Sequence, residues 1–201
     1  SESIAIPGTI LISAVGIMDD VRKALTMDLK RPGNLLYVAG VTKNEMGGSI
    51  YYDTLGLSGG EVPRTDFETA REVFRRVYQA AQHQYLASAH DCSEGGLSAA
   101  VAEMAFSGNL GAAVDLQMVP FAGEGKADDL LLFSESHSRL VLEVAPEYRE
   151  DVERLFDGVP FACVGRVEEQ PELTVKGING KSCMTAPVAE LKAAWKKPLD
   201  W

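Results

Sequence analysis

The fold is decided by the stretch Leu86-Ala87-Ser88-Ala89-His90-Asp91-Cys92-Ser93-Glu94-Gly95-Gly96-Leu97 of this 201-residue chain. Residues 86–90 predict a short strand, and the two glycines that follow allow a tight turn. After the turn, apolar residues recur at helical spacing at Leu97, Ala100, Val101 and Met104. A strand that passes through a glycine turn into a helix is typical of domains in which helices cover a sheet.

The rest of the chain repeats such patterns and predicts one mixed α/β (α+β) domain. Further strands are predicted at residues 9–16, 34–41, 112–116, 139–144 and 161–167. Asn179-Gly180 lies between two more apolar runs, 173–175 and 182–184, and predicts a β-hairpin there. Helices are predicted at residues 19–27, 65–85, 128–133, 146–155 and 187–195. Because strands and helices alternate irregularly, we expect a mixed sheet covered by helices.

The clearest of these helices is predicted at residues 65–85. Thr65 and Glu68 fit a capping box at its start. Its apolar side chains recur at helical spacing and predict one buried face, formed by Phe67, Ala70, Phe74, Val77, Tyr78 and Ala81.

Composition and charge limit the kind of protein this is. The chain is 46 % apolar and 24 % charged, as ordinary globular domains are. Its net charge of −10 disfavours a nucleic-acid partner, because an acidic chain is repelled by the phosphate backbone. The apolar stretch 5–18 is too short to span a membrane. The three cysteines lack metal-type spacing, and we expect reduced thiols in a cytoplasmic protein.

The turn after residue 90 carries the sharpest chemical signal. The start of a helix presents unpaired N–H groups and attracts anions, so Gly95 and Gly96 predict a turn that can receive a phosphate. Asp91 fits this interpretation if Mg²⁺ lies between its carboxylate and the phosphate, and Ser93 can donate its hydroxyl to the same ligand. On composition alone, a helix cap is the more common role for Asp or Ser at such a position. A lone histidine such as His90 is more often structural than catalytic.

Two other polar clusters are candidate sites. The run Ser134-Glu135-Ser136-His137-Ser138-Arg139 precedes a predicted strand, and Ser134, Glu135 and Arg139 are groups that bind hydroxyls or phosphates. The simpler interpretation is a turn in which Glu135 and Arg139 pair with each other, and locally we prefer it. Gly47-Gly48-Ser49 is interpreted as a loop whose glycines meet a backbone requirement.

The quoted motifs resemble those of one enzyme family, the formylglycinamidine synthases. Residues 90–97 resemble the His-Asp-x-Ser-x-Gly-Gly-Leu signature of the second of the family's two C-type domains. The 134–139 run is similar to its Ser-Glu-Ser-x-x-Arg sequence, and Pro7-Gly8-Thr9 with residues 15–21 resembles the opening of that domain. In register, the resemblance covers nearly the whole chain.

The resemblance implies a fold and a chemistry. The fold is an α-β-α layered C-terminal domain of the aminoimidazole ribonucleotide synthetase type, partly ferredoxin-like. The family is an ATP-dependent ligase of purine biosynthesis that converts formylglycinamide ribonucleotide to the amidine with glutamine-derived ammonia. The second C-type domain belongs to a pseudo-site that holds Mg²⁺ and ATP or ADP in large members. The resemblance therefore implies Asp91 as the metal ligand and Ser93, Gly95 and Gly96 as nucleotide contacts.

The same resemblance implies a pocket rim and a set of partners. The rim is formed by His90, Ser134, Glu135 and Arg139. Residues 1–8 are expected to be a linker from an N-type domain and residues 9–201 the C-type domain, inactive alone. The expected partners are the N-type domains, a glutaminase subunit and a small accessory subunit. Two alternatives stay open: a structural or interaction domain without ligand, and a domain of a relative such as selenophosphate synthase or aminoimidazole ribonucleotide synthetase.

Overall fold

The computed structural model describes residues 11–199, which form one seven-stranded mixed sheet with helices packed on it. The strands are β1 (Leu35–Ala39), β2 (Leu86–Asp91), β3 (Gly111–Asp115), β4 (Leu140–Val144), β5 (Phe161–Glu168), β6 (Glu172–Lys176) and β7 (Ser182–Pro187). Their order across the sheet is β2-β4-β1-β5-β3-β6-β7. Neighbouring strands run antiparallel, except that β3 and β6 run parallel.

The helices connect the strands in the irregular alternation that the sequence predicts. They are α1 (Ile50–Thr54), α2 (Phe67–Gln82), α3 (Gly96–Gly108), α4 (Asp128–Phe133), α5 (Arg149–Leu155) and α6 (Val188–Lys196). Short 3₁₀ turns occur at Val21–Lys23, Leu116–Met118, Pro146–Tyr148 and Lys197–Leu199. Between residues 11 and 199, no helix combines the length and the hydrophobicity that a membrane crossing requires.

Each face of the sheet has its own hydrophobic core. Because side chains alternate along a strand, Leu36 and Val38 of β1 enter one core while Tyr37 and Ala39 enter the other. Helices α3, α4 and α6 cover the first core, and α2 and α5 cover the second. The α/β class with α-β-α layers and a mixed sheet is therefore confirmed.

The predicted strand at residues 9–16 is wrong over its described part. Residues 11–16 form no strand, and Leu11, Ile12 and Val15 are exposed. A strand requires a neighbour for its backbone hydrogen bonds, and the described part of the chain pairs none with this segment. The predicted linker 1–8, together with residues 9 and 10, lies outside the described residues. The helix predicted at 19–27 shortens to the 3₁₀ turn, which Asp20 caps by accepting from Arg22 N at 3.0 Å.

Helix α2 forms as predicted, but with a different cap and a different buried face. Asp66 is its N-cap and accepts from the backbone N–H groups of Glu68 and Thr69. The buried residues are Ala70, Val73 and Ala80. The aromatic residues that the sequence placed in the core are exposed, by 81 % at Phe67, 52 % at Phe74 and 64 % at Tyr78.

Candidate functional site

The signature turn is built by the end of β2 and the start of α3. Cys92 N donates to Arg139 O at 2.9 Å, so pairing with the chain before β4 continues beyond the last residue of β2. The chain then reverses through Gly95 and Gly96, whose φ angles of +77° and +63° are left-handed and favour glycine. This geometry leaves the side chains of Asp91, Ser93 and Glu94 exposed.

The absence of a side chain at Gly96 allows backbone carbonyl groups of the protein to lie close to this residue. A Cβ at this position would lie 2.5 Å from Ser134 O and 2.8 Å from Leu132 O. The start of α3 therefore packs directly against the backbone at the end of α4. The space next to Gly96 is filled by these two carbonyl groups.

The carboxylate of Glu135 lies at the start of α3. Its Oε1 accepts from Gly95 N at 3.0 Å and from Ile50 N, the first residue of α1, at 2.9 Å. Carboxylates are favoured at helix N-termini because the unpaired N–H groups there carry partial positive charge. The protein thus supplies its own anion at the position where the sequence predicted a phosphate.

A cavity of about 500 Å³ opens beside this turn. Its wall contains Pro63, Thr65, Phe74, Asp91, Cys92, Ser93, Glu94, Glu135, His137, Ser138, Arg139 and Leu140. The structure therefore brings the predicted metal ligand Asp91 and the predicted phosphate contact Ser93 together with Glu135. A larger cavity of about 740 Å³ lies on the face of β3, β5, β6 and β7, away from the motifs. The smaller cavity is the candidate site, because Asp91, Ser93 and Glu135 all line it.

His90, a predicted rim residue, is not among the residues that line this cavity. Its Nε2 lies 2.6 Å from Glu103 Oε2, and its Nδ1 lies 3.3 Å from Asp91 Oδ1. Glu103 also accepts from Trp195 Nε1 at 3.1 Å. His90 consequently links the end of β2 to α3 and, through Glu103, to α6, next to Asp91.

Arg139 and Ser134, two further rim residues, are buried and bond within the protein. The Arg139 guanidinium donates to Ser136 O and Thr42 Oγ1 at 3.0 Å each, and also to Ser134 O. Burial lowers the pKa of Arg139. Ser134 Oγ donates to Lys43 O at 2.8 Å. Glu135 bonds to backbone amides instead, so the local Glu135–Arg139 pairing preferred from the sequence is wrong.

Comparison with known proteins identifies the family. Residues 31–178 match the family described as "AIR synthase related protein, C-terminal domain". The chain belongs to this family. It is 38 % identical over 202 residues to the phosphoribosylformylglycinamidine synthase subunit PurL of Moorella thermoacetica, a match that covers 99 % of this chain and 26 % of that protein. The chain thus spans about a quarter of that curated relative.

Solved structures share the fold of this AIR synthase-related domain. The structure of PurL from Thermotoga maritima complexed with ATP superposes with a TM-score of 0.71 at 22 % identity, over 85 % of this chain and 27 % of that one. Its complex with FGAR superposes with a TM-score of 0.76 at 20 % identity, over 85 % and 30 % of the two chains.

The donor atoms of this AIR synthase-related domain fit one kind of metal site. Within residues 11–199, no three His, Cys, Asp or Glu side chains are arranged to enclose a metal ion. Asp91 and Glu94 nevertheless present exposed carboxylates in the cavity wall. Mg²⁺ commonly binds one or two carboxylates and completes its shell with water and phosphate oxygens. Asp91 and Glu94 are therefore of the ligand type that Mg²⁺ takes when water and phosphate complete its shell.

Two contributors to the cavity of this AIR synthase-related domain were missed from the sequence. Phe74 lines the wall from α2, although its helical spacing assigned it to the core. Thr65 Oγ1 lies 2.7 Å from His137 Nδ1, which joins the chain before α2 to the 134–139 run. The sequence assigned Thr65 to a helix cap, so only the tertiary contact with His137 identifies its place in the cavity wall.

Proposed function

We propose that this chain is the C-terminal domain of a phosphoribosylformylglycinamidine synthase. The whole enzyme is proposed to convert formylglycinamide ribonucleotide to formylglycinamidine ribonucleotide with ATP and glutamine-derived ammonia. Residues 1–8 are then a linker from an N-type domain and residues 9–201 the C-type domain. The match of 99 % of the chain to about a quarter of the Moorella relative supports this assignment. The isolated domain is expected to be inactive.

The observation that carries the proposed site is that Asp91 and Ser93 line one cavity beside the start of α3. Asp91 is proposed to bind Mg²⁺ and Ser93 to donate its hydroxyl to a phosphate of ATP or ADP. When bound, Mg²⁺ neutralises phosphate charge. Gly95 and Gly96 shape the turn, and His90, Ser134, Glu135 and Arg139 hold it in place through the contacts described above. The Thermotoga PurL has been solved with ATP, ADP and AMPPCP, which supports a nucleotide as the ligand class.

The proposed partners follow from the same assignment. They are the N-type domains of the same polypeptide, a glutaminase subunit and a small accessory subunit. A structure named PurLQS from Thermotoga maritima supports an assembly of this kind. We place the protein in the cytoplasm, consistent with the free Cys92, Cys163 and Cys183.

Genetic complementation tests the proposed activity. The full-length gene that contains this chain should restore growth of a purine auxotroph that lacks formylglycinamidine synthase. If it instead restores a selenophosphate synthase or an aminoimidazole ribonucleotide synthetase mutant, the chain belongs to that relative. Growth in none of these strains, with the full-length protein expressed in soluble form, would contradict the proposed activity.

One observation favours a second candidate, a structural domain without ligand. The N–H of Gly95 is already bonded to Glu135, so a phosphate does not find it free. In that case the domain would serve only to hold its partner domains. Mg²⁺-dependent binding of ADP separates the candidates, because a purely structural domain predicts none.

A further inference from the structure

Glu135 joins two segments that are far apart in the sequence. Its single Oε1 atom accepts from Ile50 N at the start of α1 and from Gly95 N before α3. The side chain is half-buried and forms part of the cavity wall. It is therefore fixed between the two glycine-containing loops, with its charge at the N-terminus of α3.

The charges around the cavity are mostly negative. Asp91, Glu94 and Glu135 contribute three carboxylates to its wall. Arg139 also borders the cavity, but its guanidinium is buried and donates to oxygens of the protein. His137 is held by Thr65 through Nδ1. A free phosphate approaching the turn consequently meets like charges and a backbone N–H that is already bonded.

We infer that Glu135 makes phosphate binding at this turn dependent on a divalent cation. This inference rests on the proposed function, because it concerns the same nucleotide site. With Glu135 in place, the helix N-terminus has no free N–H at Gly95 to offer, and the phosphate must enter together with a cation that Asp91 can bind. Glu135 is thus a specificity-determining residue that excludes metal-free anions. Removing its carboxylate exposes the Gly95 N–H and removes one like charge.

The test uses pyrophosphate as the probe, by calorimetric titration in EDTA. Wild type should bind it too weakly to measure. Glu135→Ala should gain affinity by about tenfold or more, because the N–H groups at a helix start attract anions. Glu94→Ala is the matched control, because Glu94 lines the same cavity but has no bond to a helix amide. Equal affinities of the two variants would overturn the inference.

A second pair of variants covers the case in which Glu135→Ala does not fold, which circular dichroism and thermal melting would reveal. Glu135→Met keeps the length of the side chain but offers no oxygen to the two amides, so it frees the Gly95 N–H and removes the charge. It should bind pyrophosphate in EDTA several-fold more tightly than Glu94→Met, and equal binding would again overturn the inference. The outcome is separable from the proposed function, because Mg²⁺-dependent ADP binding is measured on wild type. A gain in Glu135→Ala without ADP binding by wild type would refute the nucleotide site and leave only the exclusion of metal-free anions by Glu135.

Discussion

His90 Nε2 lies 2.6 Å from Glu103 Oε2, a contact that joins the end of β2 to α3 immediately beside Asp91. The pair is partly buried, and Trp195 Nε1 completes it from α6. The signature turn is therefore held by side chains behind it as well as by its own glycines. His90 therefore positions the turn beside the proposed metal ligand without entering the cavity.

Replacing His90 by alanine should destabilise the domain. The substitution removes the contact with Glu103 and leaves a partly buried carboxylate with one partner fewer, at a cost of about 1–2 kcal/mol. Chemical denaturation measures the loss in the free energy of unfolding. His83→Ala is the control, because His83 is exposed at the end of α2 and should change stability little. Equal stability of the two variants would show that the His90–Glu103 contact contributes nothing.

Glu143→Gln should be one of the most destabilising substitutions of a single carboxylate in this domain. The buried Glu143 accepts from Asn34 Nδ2 at 2.7 Å, from Ser88 Oγ at 2.7 Å and from the backbone N–H groups of Lys30 and Arg31. A glutamine turns an NH₂ group toward these donors, which should cost about 3 kcal/mol. Urea denaturation measures the loss. The exposed Glu147→Gln serves as control, and a similar effect in both would contradict this role of Glu143.

Gly96→Ala tests the close packing of α3 against α4. The substitution places a Cβ 2.5 Å from Ser134 O at a left-handed residue. Gly158→Ala is matched in φ, at +78°, but has nothing within 4 Å of the new atom. Backbone strain should destabilise both variants by about 1–2 kcal/mol. Gly96→Ala should lose further stability, because its Cβ clashes with Ser134 O. If the two variants lower the melting temperature equally, the turn accommodates the new Cβ at no cost and the close packing does not contribute to stability.

The cap of α2 should make part of the stability depend on pH. Hydrogen bonds from Thr69 hold the pKa of Asp66 below its ordinary value of 3.8. Since the folded-state pKa is lowered, the cap stabilises fully above that ordinary value and is lost as the pH falls through the folded pKa. The difference in melting temperature between wild type and Asp66→Ala should thus be largest near neutral pH and shrink below about pH 4. The exposed Asp157→Ala should show no such difference, and a constant Asp66 effect down to pH 2 would contradict the assignment.

The sequence predicts the elements of this fold better than their contacts. Strand β2 and helix α3 form as predicted because their patterns are local and the glycine turn separates them. The orientation of α2 could not be predicted in the same way. Phe74 and Val73 are neighbours that point to different sides of the helix, and an apolar face can be drawn through either. Packing against the sheet and α5 buries the side that contains Val73.

The motif of the candidate site could be predicted from the sequence, but the hydrogen bonds that hold the site together could not. Asp91 and Ser93 reach the cavity because Asp91 is the last residue of β2 and Ser93 lies two residues beyond it. The bond from Gly95 to Glu135, in contrast, joins residues that meet only after the sheet has formed. A local interpretation therefore paired Glu135 with the nearby Arg139, whose guanidinium instead donates to Ser136 O, Thr42 Oγ1 and Ser134 O.

Calorimetric titration of ADP into this chain, with and without Mg²⁺, tests the central claim most directly. We predict Mg²⁺-dependent binding that Asp91→Asn weakens by at least about tenfold, because the metal loses a charged ligand. Asp157→Asn, which changes an exposed carboxylate outside the cavity, should bind as wild type does. An affinity for Mg²⁺-ADP that is the same in wild type and Asp91→Asn would contradict the role of Asp91.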